Sequence, residues 1–399
     1  MKTAQTSHIF DVVDYLKGLL TIMGTWPQRN PSWSYRMKRT ISWSLDISIL
    51  CCLVAEIYKN YLHSEFKELT ELLSIMTSFV SWSIKRTIFE FKNNRLVGLF
   101  EKLEDPVLHD FPKSCDAYVH RQNRFTMIMA KTFQFLAANM VTSSSLKPFM
   151  NAGLALHFTI FDLGNWYYPF HIYEIIAMIN ASYNNSTMDC VAMSLMSICG
   201  TQFEILKQKI IHCRQWAGRT TEEIDRGEVN VGEDMDPNLD VTIKEYLNSC
   251  VKHHIKILDI VGDVENIFCY LLLSQFATSV LAICNTWFQF MLEDNLIKIL
   301  FLSFYALALL NQIALYCLYG DQVMQKSQDL RDACYMSDWY KSNKMVAKNM
   351  LLIMERAKRP TVITAGKLSV CNLVTYAGLI RMSYSYFALM NRLYGDMGE

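Results

Sequence analysis

Apolar and polar positions fall in long blocks along this chain, not in short alternating steps, and the blocks predict helices. Segments 266–292 and 299–320 contain no Asp, Glu, Lys or Arg. A hydrocarbon core about 30 Å thick needs roughly 20 apolar residues in a helix, so both predict membrane spans. A third block closes the chain. It follows Lys358, Arg359 and Pro360, carries no charged side chain over 368–380, meets Arg381, and stays apolar to Met390. Gly366, Ser369, Thr375, Gly378, Ser383 and Ser385 stud it. Small and hydroxylated positions suit a helix that packs on copies of itself or lines water, whereas a plain anchor is uniformly apolar.

Four more polar blocks come earlier: 39–61 with Asp46 and Glu56, 69–89, 125–146, and 168–200 with Glu174, Asp189 and the polar run 180–187. Each charge within a span costs about 2.5–3.5 kcal/mol on insertion scales, so these helices are expected to face one another or a cavity. The pattern therefore predicts an all-α integral membrane protein with seven transmembrane helices. Outside the spans, Ile243, Leu247, Val251, Ile255 and Leu258 recur at helical spacing within 241–260. Segments 190–216 and 345–354 also read as helices. Together they predict a helical anchor layer under the membrane that serves as a subunit contact, with helices lying on the membrane surface as the competing reading. Between them, 220–240 holds eight acidic residues against one Arg and reads as a linker.

Charge sets the direction. The segment up to residue 39 has six Lys/Arg, 85–124 has eight, 207–256 has eight and 326–367 has nine, while the opposite side has five. The basic side is cytoplasmic, so the N-terminus is expected in the cytoplasm and the C-terminus outside. A G-protein-coupled receptor has the reverse orientation, and its Asp-Arg-Tyr and Asn-Pro-x-x-Tyr motifs are absent. Composition adds less. Lys plus Arg equals Asp plus Glu at 38 each, so no basic field invites nucleic acid. Twelve cysteines lie mostly in apolar runs without a C-x-x-C pair, which predicts neither a disulfide framework nor zinc. Residues 1–15 lack the apolar run of a cleavable signal peptide.

Chemistry is sparse. No G-x-x-x-x-G-K-[ST], G-x-G-x-x-G or H-E-x-x-H occurs, so no enzyme activity and no cofactor are expected. His253 and His254 are adjacent on a helix and point to different faces, which disfavours a metal site. Asp46, Glu56, Glu174 and Asp189 read either as hydrogen-bond partners between packed spans or as the proton relay of a secondary transporter. Sequons begin at Asn180, Asn184 and Asn185, within the fourth span. The outer halves of the spans offer a pocket for a small, mostly apolar ligand, built from Met76, Phe79, Ala137, Met140, Ser144, Tyr173, Ile176, Asn180, Phe301 and Phe304. For any one of these, a place in the bundle core is the competing reading.

The last third carries a resemblance. Asp338-Trp339-Tyr340, the Met-rich helix, Lys358-Arg359-Pro360, Thr364-Ala365-Gly366, Thr375-Tyr376 and the closing Ser383-Tyr384-Ser385-Tyr386-Phe387 resemble the insect odorant receptor family. That resemblance implies a subunit of a ligand-gated, non-selective cation channel in the plasma membrane of a sensory neuron dendrite. Such channels are tetramers formed with a shared co-receptor, open on binding a small volatile odorant, and are lined by a broken seventh helix. The short stretch between the fourth and fifth spans points to the odour-tuning subunit and not to the co-receptor. It also implies two regions. Residues 1–324 form helices 1–6 with the outer ligand pocket. Residues 325–399 form a cytoplasmic anchor helix and a pore helix over about 365–390. Thr375, Leu379, Met382 and Ser383 are the expected pore residues, with Leu379 as a hydrophobic constriction. Gustatory receptors share the architecture and are the alternative, but they end with Thr-Tyr, five apolar residues and Gln-Phe, and Arg381 and Met382 depart from that ending after Thr375-Tyr376. Arg381 is open to three arrangements: the pore edge, snorkelling outward, or pairing with an acid on another helix.

Overall fold

The computed structural model describes residues 11–63, 66–146, 167–217 and 239–398. Among them the helices are α1 Asp11–Ile22, α2 Trp33–His63, α3 Phe66–Phe91, α4 Asn93–Leu103, α5 Asp116–Leu146, α6 Tyr167–Ile211, α7 Cys213–Trp216, α8 Leu239–Leu292, α9 Leu296–Met336, α10 Lys344–Ala357 and α11 Leu373–Gly398. Seven of them, α2, α3, α5, α6, α8, α9 and α11, form the transmembrane bundle. Most of the expected acidic linker lies outside the described residues.

Length explains the second layer. At about 1.5 Å per residue, the 54 residues of α8 extend roughly 80 Å, far beyond a hydrocarbon core of about 30 Å. Its first half carries Lys252, Lys256, Asp259 and Asp263, and so stands clear of the membrane. The far ends of α6 and α9 project with it. Ion pairs tie this layer together: Lys102 reaches Asp259 and Asp263 at 2.7 and 2.6 Å, Lys256 reaches Asp105 at 2.7 Å, and Lys207 reaches Asp329 at 3.0 Å. Asn343 caps α10 by accepting from the backbone N–H of Met345 and Val346. One face of α10 buries Val346, Met350, Ile353 and Ala357, while Met345, Leu351 and Leu352 face outward.

Several sequence expectations change here. The inward stripe of α8 is Ile243, Leu247, Cys250, Ile257 and Ile260, whereas Ile255 is 61% exposed. Among the described residues, three helical stretches are long and apolar enough to cross a membrane by length and composition alone: Trp33–Lys59, Val241–Leu292 and Leu296–Lys341. The terminal helix is not among them, because Arg381, the serines and the glycine lower its apolarity. Lys85 and Arg86, counted above as loop charges, are fully buried in α3, which continues to Phe91.

The terminal helix also starts later than the expected 365. Thr364–Ala365 and Ser369–Val370 form a small antiparallel hairpin, pairing Thr364 with Val370 and Ala365 with Ser369. Gly366 and Lys367 have φ of 64° and 60°, a left-handed pair that makes the turn and cannot continue a right-handed helix. The Glu265 carboxylate on α8 accepts from the Thr364 N–H at 2.7 Å and from Lys367 Nζ at 2.8 Å. The Gly366 N–H donates to the Cys269 carbonyl at 2.9 Å. Helix α11 then begins where Asn372 Oδ1 accepts from the Thr375 N–H at 2.8 Å.

His253 and His254 are both buried in the layer outside the membrane. His253 Nε2 lies 2.9 Å from Gln202 Oε1, and His254 meets the Phe203 ring edge-on. Burial, with Lys209 and His254 beside it, lowers His253 to about 3; burial, with Arg356 beside it, lowers His254 to about 4. Unfolding returns both to about 6.5, so the unfolded chain binds more protons below that pH. The stability these neutral rings contribute is complete above about pH 6.5 and is lost as pH falls toward 4. Each loses about 2 kcal/mol between about pH 6.5 and about pH 5. The thermal midpoint in detergent is therefore expected to fall over that range, and His253→Gln to flatten the slope. A midpoint independent of pH would refute the neutral burial.

Candidate functional site

Adjacent residues on a helix point about 100° apart, so Lys85 and Arg86 on α3 address different neighbours. Lys85 Nζ donates to both carboxylate oxygens of Asp189 on α6, at 2.7 and 2.9 Å, and to Asn185 Oδ1 at 2.8 Å. Asp189 also accepts from the Tyr316 hydroxyl at 2.6 Å and from Gln312 Nε2, both on α9. Arg86 pairs with Asp46 on α2, donates to Ser42 Oγ at 3.1 Å and stacks on the Trp43 ring at 4.3 Å. Lys85 and Asp189 have no solvent exposure at all, and every donor and acceptor of this pair is matched. Buried charge on that scale is tolerated only when it is paired and hydrogen-bonded.

The four expected carboxylates thus separate. Asp46 and Asp189 join these inter-helix clusters; Glu174 lies 3.4 Å from His171, and Glu56 lies 3.7 Å from Lys59. Asn180 and Asn184, two of the sequon asparagines, bond within the bundle: Asn180 Nδ2 donates to Ser42 Oγ at 3.1 Å, and Asn184 Oδ1 accepts from the Thr25 hydroxyl at 2.7 Å.

Directly against the Lys85 cluster lies a cavity of about 110 Å³ among α3, α5, α6, α8 and α9. Its body is apolar, with Phe79, Trp82, Phe133, Met140 and Leu309 on the walls. Its polar end is made by Asn185, Gln312 and Gln275. The amides form a directed chain: Gln312 gives its N–H to Asp189, Gln275 Nε2 donates to Gln312 Oε1 at 2.9 Å, and Ser81 donates to Gln275 Oε1 at 2.9 Å.

Of the expected ligand residues, Phe79, Ala137 and Met140 line this cavity. Ile176 and Phe304 do not, being 54% and 38% exposed on outward faces. Met76 packs into the core away from the cavity, and Tyr173 bonds Ser48. Asn180 belongs to the Asp46 cluster, Phe301 is half-buried off the lining, and the side chain of Ser144 lies outside the described ones. On α9 the lining falls one residue later, on Tyr305, Ala308, Leu309 and Gln312. The contribution of α8, Gln275 to Ala282, has no counterpart among the expected residues. Its signal in the sequence is a pair of polar residues, Gln275 and Ser279, one turn apart in an uncharged span.

Helix α11 packs on α8 and α9, with Tyr384 and Phe387 edge-on to Trp287 at 6.0 Å. Thr375, Leu379 and Met382 follow one stripe at i, i+4 and i+7, half-buried at the first two and 48% exposed at Met382. Ser383 corrects the expected pore set: it is fully buried, turned into the bundle, and donates to the Leu379 carbonyl at 2.9 Å. Arg381 is exposed and makes no ion pair among the described residues.

Comparison with known proteins agrees with this architecture. The family model described as 7tm Odorant receptor matches residues 65–384. Odorant receptor Or2 of Anopheles gambiae is 28% identical over 153 residues, which is 38% of this chain and 40% of that relative's length. Odorant receptor 46a, isoform A, of Drosophila melanogaster is 21% identical over 403 residues, covering 94% of this chain and 96% of its own. The insect olfactory receptor OR5 from Machilis hrabei superposes with a TM-score of 0.80 at 18% identity, over 96% of this chain and 98% of that one. The same receptor solved in complex with eugenol gives 0.78, also at 18% identity, over 97% of this chain and 99% of that one. With its bundle of seven membrane helices and a match across most of its length, the chain belongs to the odorant receptor family.

Proposed function

We propose that this chain is the odour-tuning subunit of a ligand-gated, non-selective cation channel in the plasma membrane. It would act in a tetramer with shared co-receptor subunits, its N-terminus cytoplasmic and its C-terminus outside. The observation that carries this reading is the mostly apolar cavity of about 110 Å³ between the helices, beside a polar cluster. A dry apolar cavity of about 150 Å³ holds benzene, so this volume suits a small organic molecule. The Machilis hrabei receptor, solved with eugenol, gives the fold a precedent for a ligand of that size. The exposed face of α10, with Met345, Leu351 and Leu352, suits contact with neighbouring subunits.

In this reading α11 lines the pore along Thr375, Leu379 and Met382, with Leu379 closing it by dewetting. Ligand in the cavity spreads α3, α8 and α9, and α11 follows because it is packed on the last two. The transporter reading loses support because Asp46 and Asp189 are each locked to a cation.

The test is cation current in cells expressing the chain with and without the insect co-receptor, under an odour panel. Current that needs both chains and the odour is the expected result; substrate flux without current would overturn it. Leu379→Ser is expected to raise ligand-free current several-fold at unchanged surface expression. Unchanged basal and evoked currents would remove Leu379 from the gate.

A further inference from the structure

The buried ion pair fixes which way every amide at the polar end of the cavity points. An ammonium only donates, so the Asn185 oxygen must face Lys85, and its Nδ2–H₂ must point away from it. A carboxylate only accepts, so Gln312 must turn its nitrogen to Asp189 and its oxygen to Gln275. Gln275 is then fixed in turn, with its nitrogen on Gln312 and Ser279 and its oxygen on Ser81. Several hydroxyls along the wall have committed their hydrogens as well. Thr77 donates to the Ser74 carbonyl, Thr278 to the Ser274 carbonyl and Ser186 to the Tyr183 carbonyl.

What remains open is donors. Among the described residues, Asn185 Nδ2 and the Ser182 and Ser279 hydroxyls have no hydrogen-bond acceptor, and all three side chains line the cavity. An N–H left open on a mostly apolar wall favours a ligand that can accept from it, whereas spare lone pairs on hydroxyl oxygens ask for no partner. The Lys85 charge on the Asn185 oxygen also polarises the amide, which strengthens its N–H as a donor.

We propose that the cavity selects small ligands with a single hydrogen-bond-accepting oxygen, such as a ketone, aldehyde or ester. The oxygen seats on Asn185 with Ser182 as second donor, and the apolar body lies along Phe79, Phe133 and Met140. Hydrocarbons of the same shape, and ligands whose head can only donate, are discriminated against. This rests on the reading of the cavity as the ligand site.

The experiment compares three head groups in a homologous series of about six to twelve non-hydrogen atoms: a methyl ketone, the alkene in which a methylene replaces its carbonyl oxygen, and the corresponding primary ammonium. Each is read twice, as current in cells that also express the co-receptor and as a shift in thermal midpoint of the purified full chain in detergent. The ketone is expected to act at concentrations about tenfold below those of the alkene in both readouts, since one hydrogen bond gained by the ligand is worth about that factor. Asn185→Asp keeps an oxygen on Lys85 and removes the donor, so it should erase the ketone advantage; Ser182→Ala should reduce it without touching Lys85.

Equal action of ketone and alkene on the unmodified chain overturns the proposal, and needs no variant to fold. So does silence of the whole series in both readouts, or a ketone preference that survives both substitutions. A ketone ranking in the thermal shifts without any current refutes the channel and leaves the ligand class standing. Current that ignores the head group does the reverse.

Discussion

Lys85→Met is expected to leave little folded protein at the cell surface, and the double variant Lys85→Met/Asp189→Asn to recover most of it. The single change strips the ammonium from a carboxylate that has no solvent exposure and keeps only Gln312, Tyr316 and their neighbours as donors. Breaking a buried pair from one side costs about 3–5 kcal/mol, because the surviving charge is uncompensated. Neutralising both sides removes that penalty, and Asn at 189 can still bond Gln312 and Tyr316. Surface labelling and the thermal midpoint in detergent are the measurements. A single variant as stable as the parent, or a double variant as poor as the sum of the two singles, would show that the pair does not hold the bundle together.

Gly320→Ala is the second large effect, expected to reduce ligand-evoked current at least about tenfold and to lower the thermal midpoint. Gly320 lies where α9 touches the foot of α11. A Cβ there would be driven into the Cys371 carbonyl oxygen, with the Cys371 Cβ only 2.8 Å away. Cys371 cannot yield easily, because its N–H donates to the Ile363 carbonyl at 2.8 Å and its neighbours are the hairpin held by Glu265. Overpacking a site of this kind costs about 1–3 kcal/mol and shifts backbone. Gly378→Ala is the control for packing within the chain: a Cβ there meets nothing within 4 Å, so an unchanged or slightly raised midpoint of the purified chain is expected. Equal behaviour of the two variants would show that the contact between Gly320 and Cys371 does not matter.

The helices could be read from the sequence because a bilayer imposes length and apolarity on every span, and the family could be read from the residues of the last third. Two things could not. The charge rule assigns basic residues near a span end to the cytoplasmic rim, so Lys85 and Arg86 looked like boundary markers. Their partners are 104 and 40 residues away, and no local pattern announces such a pairing. The second is rotation about each helix axis. A choice of Phe304 over Tyr305 turns the chosen face by about 100°, from cavity to exterior. An uncharged span such as the membrane half of α8 offers little periodicity to settle that angle, so Gln275 and Ser279 passed unnoticed. The hairpin at Thr364–Ala365 was hidden for a different reason: Gly366 reads as one more small residue on a packed helix until its left-handed backbone is seen.

The two buried cations of α3 also impose an order on synthesis. Alone in the bilayer they would cost roughly 5–7 kcal/mol, about as much as the whole net stability of many domains. Arg86 finds Asp46 already made in α2, so the first two spans can enter the membrane as a hairpin with one charge matched. Lys85 must wait for the ribosome to deliver Asp189, 104 residues later. Until the fourth span arrives, the nascent receptor holds an ammonium whose carboxylate partner has not yet been made.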